Sequence, residues 1–463
     1  MSRPSPQPLV VSMDRGSDVA LPVQLATQVR DLLRRGVVPA GSRLPSSRTL
    51  AAELGVARVV VEQSYDQLQA EGWTQSRRGS GTFVTDAGVR RAAAAAAVPA
   101  PPATSRSVLP SRLVSLDTGT PWQDPRADAS WRRAWRTVAL QRMPTGYPDA
   151  GGLPALREEL AQYVSRRRGL ACSADEVLVT AGTTHAWSLV LDALPPGPVA
   201  VEDPGYRAAA AVATAAGRPL VDVPVDADGI DVAALCRAPE DVQATYVTPA
   251  HQHPLGVTMS ARRRMLLLTE AERRQALVVE DDYDSEFRYD VAPLPALAAL
   301  DLERVAYLGT TSKIVQPGLR LGWLVSSAPL VADIVERRVR RHDHPNWPVQ
   351  VALLSLLREG HLDRLVRSAR RVYAARSKRV ADRLSGIGHP VADVAGMYVT
   401  VCLSAREERS VVEATRRAGY VLPALSASCR TAVRHGVVLG FGAVNEAQLE
   451  HVLDVIVAAL RHA

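Results

Sequence analysis

Lysine is nearly missing from this 463-residue chain: Lys313 and Lys378 are the only two, against 53 arginines. Any chemistry that depends on a primary amine therefore has two candidates. Cysteine is also scarce. Cys172, Cys236, Cys402 and Cys429 lie far apart and form no CxxC pair, which excludes a disulfide framework and a thiolate zinc site and suits a reducing cytoplasm. His251, His253 and His435 are scattered and show no metal-ligand spacing. No apolar run approaches the roughly 18 residues of a membrane helix. The opening Met-Ser-Arg-Pro-Ser-Pro lacks the apolar stretch of a signal peptide. The expectation is a chain that is neither exported nor held by a membrane.

Hydrophobic residues make up 47% and charged residues 22%, ordinary globular values that exclude wholesale disorder and a collagen-like fibre. The length is about three times that of a typical domain, enough for a large core and a second module. The net charge of +7 is unevenly placed. Residues 1–112 hold fourteen Arg, no Lys and eight acidic residues, a balance of +6, and the other 351 residues carry about +1. A basic end on a near-neutral body is the electrostatic footprint of nucleic-acid contact. Residues 86–112 are dominated by Ala, Pro, Ser and Thr and read as a linker between modules at 15–85 and 113–463. The six-alanine run within it also fits a short helix.

The first module has an ordered pattern. Leu25, Val29, Leu32 and Leu33 stand at helical spacing in a stretch that stops at Gly36. Pro45-Ser46-Ser47 offers an N-cap to a helix from Arg48 that ends at Gly55. A third helix follows Val56, with Val60, Val61, Tyr65 and Leu68 on one face, and stops at Gly72. From Trp73 to Val84, two β-prone segments flank a basic, Gly-rich tip and predict a hairpin. This order is that of a winged helix-turn-helix. Its third helix enters the major groove with Arg58 near the N-terminal end. Arg43, Ser47 and Arg48 then face the DNA backbone, and Arg77 and Arg78 reach phosphate or the minor groove from a tip that Gly79 and Gly81 let turn tightly. For any single Arg, the default surface cation of this chain, a solvated face is the competing reading. The ordered whole argues for duplex DNA and hence for a promoter operator in the nucleoid. The segment from Arg43 to Arg58, with the Gly79-Ser-Gly-Thr-Phe-Val ending, resembles the DNA-binding domain of the GntR family of bacterial regulators over roughly residues 15–85. Val59-Val60 depart from that family, where a polar residue is usual.

From residue 113 onward, β-branched runs alternate with helical stretches, the pattern of an α/β fold with a mainly parallel sheet. Candidate strands are Val177–Thr180, Val199–Val201, Ala244–Thr248, Ala276–Val279, Val305–Leu308 and Leu321–Val325. Polar residues follow most of them, where open α/β sheets bind ligands. Gly182 and Thr183 form a small-residue turn before an apolar helix, a site for phosphate. Glu280, Asp281, Asp282 and Tyr283 follow another strand. Thr310, Ser312 and Lys313 follow a third, and Arg320 precedes the next. A lysine amine, an acid, a phenol and a phosphate cradle are the requirements of pyridoxal 5′-phosphate (PLP). Lys378 lies in a basic helical run that reads as a solvated face, which leaves Lys313 to form the Schiff base.

The order Gly146-Tyr-Pro-Asp-Ala-Gly-Gly, Glu202-Asp-Pro-Gly-Tyr206, Glu280-Asp-Asp-Tyr283 and Thr311-Ser-Lys-Ile-Val-Gln-Pro-Gly-Leu-Arg-Leu-Gly322 resembles fold-type I aminotransferases. With the GntR-like start, the whole chain is similar to the MocR family of regulators, particularly its PdxR-like members. The resemblance implies that Lys313 carries PLP, that Asp281 faces the pyridine nitrogen and that Tyr283 faces O3′. It places Gly182, Thr183, Thr310, Ser312 and Arg320 around the phosphate, Tyr206 near the ring, and Tyr147 at the phosphate of a second subunit in a homodimer. Ordinary packing is the competing reading of Tyr147 and Tyr206. Two positions depart from the family pattern. His253 stands where the enzymes carry an Asn before Pro, and Val438 stands where they carry the arginine that clamps the substrate carboxylate. Arg430 and Arg434 are candidate substitutes. The expected function is a PLP-responsive regulator of vitamin B6 synthesis genes. The alternatives are an aminotransferase with an appended DNA-binding domain and a regulator that senses an amino compound through the cofactor.

Overall fold

The computed structural model describes residues 9–17, 19–77, 81–85, 113–124, 127–288, 295–389 and 395–462. Arg77 is described by its main chain only, and the expected linker at 86–112 lies outside the described residues. The chain forms two compact units, Met1–Val108 and Leu109–Ala463.

The first unit is built from α1 (Leu21–Arg34), α2 (Ser47–Leu54), α3 (Arg58–Ala70) and the hairpin β1 (Thr74–Arg77) with β2 (Gly81–Val84). Each boundary has a local cause. Ser46 caps α2 by accepting the Thr49 N–H at 3.1 Å. Gly55 ends it in the left-handed region at φ 61°, a conformation that costs glycine nothing. Leu25, Val29, Leu33, Leu50, Val61 and Leu68 are fully buried together. Tyr65 adds a tertiary tie by donating to the Pro45 carbonyl at 3.0 Å.

The larger unit centres on an eight-stranded sheet in the order β4-β11-β10-β9-β8-β5-β6-β7. Its strands are β4 (Val177–Thr180), β5 (Val199–Asp203), β6 (Leu220–Asp226), β7 (Gly229–Ile230), β8 (Ala244–Val247), β9 (Leu277–Asp282), β10 (Val305–Thr310) and β11 (Gly322–Val325). The run β6-β5-β8-β9-β10 is parallel. β11 pairs antiparallel with both β10 and β4. Side chains alternate between two apolar layers. Leu178, Val279, Leu308 and Leu324 enter one, and Val179, Val278, Tyr307 and Trp323 enter the other. Both faces are covered, which explains why these strands read as unbroken apolar runs.

β3 (Val114–Ser115) pairs in parallel with β13 (Tyr420–Val421), and β12 (Tyr398–Cys402) pairs antiparallel with β14 (Gly436–Gly440). Gly440 lets β14 approach the loop after β3, since a Cβ there would stand 2.0 Å from the Asp117 carbonyl oxygen. One strand boundary differs from the sequence expectation in a way that matters. Glu280, Asp281 and Asp282 do not follow a strand but form the last half of β9, and all three are buried. Their partners come from elsewhere in the chain. Arg168 pairs with Asp282 at 2.5 Å, Tyr307 donates to Asp282 at 2.7 Å, and Glu280 accepts the Leu297 and Ala298 N–H groups at 2.9 and 3.0 Å.

Candidate functional site

Strand alternation sends Glu280 and Asp282 to one face of β9 and Asp281 to the other. Asp281 thereby lines a cavity of about 510 Å³ at the ends of β9 and β10. Tyr283 enters it from just beyond β9, and Thr310, Ser312 and Lys313 enter from the end of β10 and the turn after it. Gly182 and Thr183 belong to the start of helix Thr183–Ala193, Tyr206 to the start of helix Arg207–Ala215, and Arg320 to the turn before β11. Nine of the ten cofactor residues expected from sequence therefore meet at one cavity. Tyr147 does not line it. That ring is 80% exposed and stacks on His344 at 5.1 Å between centroids. Lys378 is exposed on helix His361–Ser385.

The charges in the cavity are strongly conditioned. Burial lowers the pKa of the Lys313 amine, while Asp117, Asp284 and Asp281 act in the opposite sense. Its Nζ donates to the Gly119 carbonyl at 3.0 Å. Burial raises the Asp281 carboxyl to about 7. Tyr246 donates to Asp281 Oδ2 at 2.5 Å, and Oδ1 is buried with no hydrogen-bond partner among the described residues. An orphaned carboxylate oxygen is costly, and one in the wall of a cavity suits a ligand that carries a donor. Tyr283 donates to the His251 carbonyl at 2.8 Å and lies 2.8 Å from the Tyr398 hydroxyl. His253 also lines the cavity. Burial, then the positive field of Lys313 and His251, push its imidazole down to about 3, so the ring is neutral at physiological pH.

The other end of the cavity has the features of an anion site. Gly182 caps helix Thr183–Ala193 with φ +100°, a backbone open to glycine, and Thr183 and Thr184 in the first helical turn line the wall. Thr310 donates to Ser312 at 3.0 Å, which fixes two hydroxyls in one turn. Arg320 sits beside Gly182, with its guanidinium 3.7 Å from where a Cβ on that glycine would be. Its backbone is left-handed, φ 47° and ψ 53°, a conformation that costs a non-glycine residue roughly 1–3 kcal/mol and persists where the surroundings impose it.

Neither substitute for the carboxylate clamp reaches this cavity. Val438 is buried in β14 opposite Thr400. Arg430 Nε donates to Asp222 at 2.8 Å, and Arg434 donates to the Val225 carbonyl at 2.7 Å. Lys313 and Arg320 are the cations of the lining. Sequence reasoning missed Asp117, Thr118, Gly119 and Thr120, which close the cavity beside Lys313. It also missed Tyr246 and Tyr398. Tyr246 and Tyr398 lie on other strands and Asp117 to Thr120 in the loop after β3, so they reach the site only through tertiary packing. Thr184, next to Thr183, was the one with a local signal.

In the first unit, Arg58 is the first residue of α3 and is exposed. It pairs with Glu62 at 2.7 Å and donates to Ser47 Oγ at 3.3 Å, so α2 and α3 meet through that side chain. The pair is exposed, and such pairs contribute about 0–1 kcal/mol, which leaves Arg58 free to exchange its partner. Arg48 is exposed at the start of α2. Arg43 bridges to Phe83 in β2, and its guanidinium lies against Gly81. Arg78 and Gly79 lie outside the described residues.

Comparison with known proteins agrees with both units. The profile of aminotransferase class I and II matches residues 112–456, and that of the bacterial regulatory proteins of the gntR family matches residues 21–84. The chain is 36% identical to the HTH-type pyridoxine biosynthesis transcriptional regulator PdxR of Corynebacterium glutamicum over 96% of this chain and 97% of that one. It is 35% identical to the probable rhizopine catabolism regulatory protein MocR of Rhizobium meliloti over 79% of this chain and 77% of that one. Among solved structures it is similar to a kynurenine aminotransferase from Pyrococcus horikoshii, with a TM-score of 0.70 and 25% identity over 80% of this chain and 96% of that one. A DNA-binding unit of the GntR type thus precedes a body with the fold of the PLP-dependent aminotransferases, and the chain belongs to the MocR family of transcriptional regulators.

Proposed function

We propose that this chain is a PLP-responsive regulator of genes for vitamin B6 synthesis. The observation that carries the reading is the pairing, in one cavity, of a buried amine (Lys313) with a carboxyl group whose Oδ1 has no hydrogen-bond partner among the described residues (Asp281), opposite an anion site at Arg320 and Gly182. This donor set fits PLP. When bound, PLP supplies an aldehyde that condenses with a primary amine, a ring nitrogen that is basic, and a phosphate dianion.

The chain's own groups have complementary tasks. Lys313, with its pKa lowered by burial, is the amine positioned to act as nucleophile. Asp281 Oδ1 would accept a hydrogen bond from the protonated ring nitrogen, a contact that favours the charged carboxylate. Tyr283, whose hydroxyl donates to the His251 carbonyl at 2.8 Å, would face the ring oxygen, and the neutral His253 adds no competing charge. Arg320, Thr310, Ser312 and the Gly182–Thr183 helix start hold the phosphate. Tyr206 borders the ring. Tyr147, exposed and away from its own cavity, is suited to reach the phosphate of a partner subunit, which supports a homodimer. Once the phosphate occupies Arg320, no cation of the lining is left for an amino-acid carboxylate. That favours PLP itself as the effector, and the similarity to a pyridoxine biosynthesis regulator points to the same ligand.

In the winged unit, Arg58 reads base edges at the head of α3. Arg43, Ser47 and Arg48 hold the backbone, with Arg77, Arg78 and Gly79 at the hairpin. PLP changes DNA binding to the extent that it prefers one arrangement of the two units over another. The enzymatic alternative draws on the same amine and on the likeness to kynurenine aminotransferase. A steady-state assay with amino and keto acids separates the two.

The test is a visible spectrum of the purified protein with and without PLP, followed by binding to the promoter of PLP synthesis genes under both conditions. A new absorbance band together with a changed promoter affinity is the expected result. A band with unchanged promoter affinity would leave PLP as a structural passenger, and steady transamination would assign the body to catalysis.

A further inference from the structure

The turn between β4 and helix Thr183–Ala193, which supplies part of the anion site, is fixed by side chains outside the cavity. Thr180 Oγ1 donates to the Gly182 carbonyl at 3.2 Å. The Ala181 N–H donates to Nδ1 of His185 at 3.0 Å. On β4 itself, the Val179 carbonyl accepts from the buried Arg338 at 2.8 Å. His185 and Arg338 then converge on one atom, Asp343 Oδ2, at 3.1 and 3.0 Å. Asp343 thus ties down main-chain groups on both sides of Thr180, although it lies 158 residues from His185 in the chain. His185, Arg338 and Asp343 line a separate cavity of about 110 Å³ and have no place in the lining of the larger one.

A main-chain N–H can only donate, so Nδ1 of His185 is bare and Nε2 carries the ring proton towards Asp343. The electrostatics agree. Burial lowers the pKa of His185, Asp343 opposes that effect, and Arg338 and the cavity's own Arg320 lower it further. The ring is therefore neutral at physiological pH. Burial also opposes the charge on Asp343, but Arg338 and His185 outweigh it and bring the carboxyl below its ordinary pKa. Two features set this arrangement apart from an ion pair that only braces the fold. Asp343 already has Arg338 as its counter-charge, so His185 is not required to neutralise it. The free nitrogen of His185 is spent on a peptide group of the anion turn and not on another side chain. That peptide needs holding. Gly182, at φ +100°, gives the turn a conformational range that a residue with a side chain lacks. A phosphate bound by the free N–H groups of a helix start gains affinity when those groups are fixed before it arrives.

We infer that His185, oriented by Asp343, is a positioning residue for the phosphate of the ligand: it holds the Ala181–Gly182 segment so that the helix start at Thr183 is set to receive a phosphorylated aldehyde. The inference rests on the reading of the cavity as a PLP site and deepens it. Recognition of the phosphate then depends on a pair of residues outside the cavity, whereas recognition of the aldehyde and ring depends on Lys313, Asp281 and Tyr283 within it.

The test compares PLP with pyridoxal, which has the same ring and aldehyde without the phosphate, by absorbance titration of the full-length protein. H185A removes the acceptor for the Ala181 N–H. H185N returns an acceptor oxygen close to the place of Nδ1, and D343A removes the group that orients the ring. H185A and D343A should each weaken PLP binding about fivefold, the equivalent of one hydrogen bond, with pyridoxal affinity within about twofold of the wild type. H185N should recover most of the loss. Equal weakening of PLP and pyridoxal would reduce the effect to general packing and overturn the inference. So would unchanged PLP affinity in H185A, or H185N binding no better than H185A. Pyridoxal binding at wild-type strength is the folding check for each variant. Should D343A fail to fold with Arg338 left unpaired, the two His185 variants decide the matter alone. Failure of the PLP reading looks different: the wild type would form no band with either ligand, and the inference would fall with it.

Discussion

The hydroxyls of Tyr283 and Tyr398 lie 2.8 Å apart. This bond joins the wall of the cavity to β12, in the part of the body built from the chain's last third. Tyr398 also reaches the Gln252 carbonyl at 3.2 Å, and both phenols are buried. Removing the Tyr398 hydroxyl with Y398F leaves Tyr283 and the Gln252 carbonyl short of a partner, at a cost of about 1 kcal/mol. We expect a melting temperature lowered by a few degrees, with PLP affinity close to that of the wild type. Differential scanning fluorimetry and an absorbance titration measure the two. Equal melting curves would show that the bond carries no weight.

Lys313 and Lys378 are chemically alike and differ only in setting, one lining the cavity and one exposed on a helix. K313A should abolish the PLP absorbance band, and K378A should retain it. Borohydride reduction followed by peptide mass mapping should place the pyridoxyl group on position 313. Its recovery at 378, or at no position, would remove the basis of the cofactor reading.

The buried Asp281 carboxyl gives the ligand-free protein a pH signature. Its folded pKa, about 7, lies above the unfolded value near 4. The folded state therefore retains a proton that the unfolded chain has released. Stability falls as pH rises from about 4 and levels off above about 7. Between pH 6 and 8 this group alone contributes a loss of about 1 kcal/mol, and Glu202, also raised to about 7 by burial, adds in the same direction. D281N cannot titrate, so its stability curve over that interval should be flatter than the wild type's. D281N should also bind PLP more weakly. Parallel curves from chemical denaturation at several pH values would contradict the assignment.

Arg58 exchanges an exposed Glu62 for DNA when the winged unit binds. R58A should weaken specific operator binding by about 1–3 kcal/mol while leaving PLP absorbance and thermal stability close to wild type. Fluorescence anisotropy with operator and scrambled duplexes distinguishes base reading from backbone contact. A loss that is equal on both duplexes would move Arg58 to the backbone class.

Local pattern was enough to lay out much of this protein. The caps at Ser46 and Gly55, the apolar spacing of α1 and α3, and the β-prone segments of the hairpin act over a few residues, so the winged unit is legible from its sequence. The scarcity of lysine likewise narrowed the candidate amines to Lys313 and Lys378 before any fold was known. The parallel strands were visible as apolar runs because both faces of the sheet are covered. What remained hidden depends on contacts between distant residues. The acids of β9 look like a polar loop until Arg168, Tyr246 and Tyr307 arrive to satisfy them in the interior. Asp117 to Thr120 close the cavity only because β14 passes close at Gly440. Arg430 and Arg434 stood as candidate carboxylate clamps until their partners Asp222 and the Val225 carbonyl were seen. The same dependence separates Arg376, Arg379 and Arg383 of helix His361–Ser385, which pair with acids of the terminal helix, from Arg367, Arg370 and Arg371, which have no such partner among the described residues: the helix pattern sets which residues share a face, but only packing decides which of them find a carboxylate.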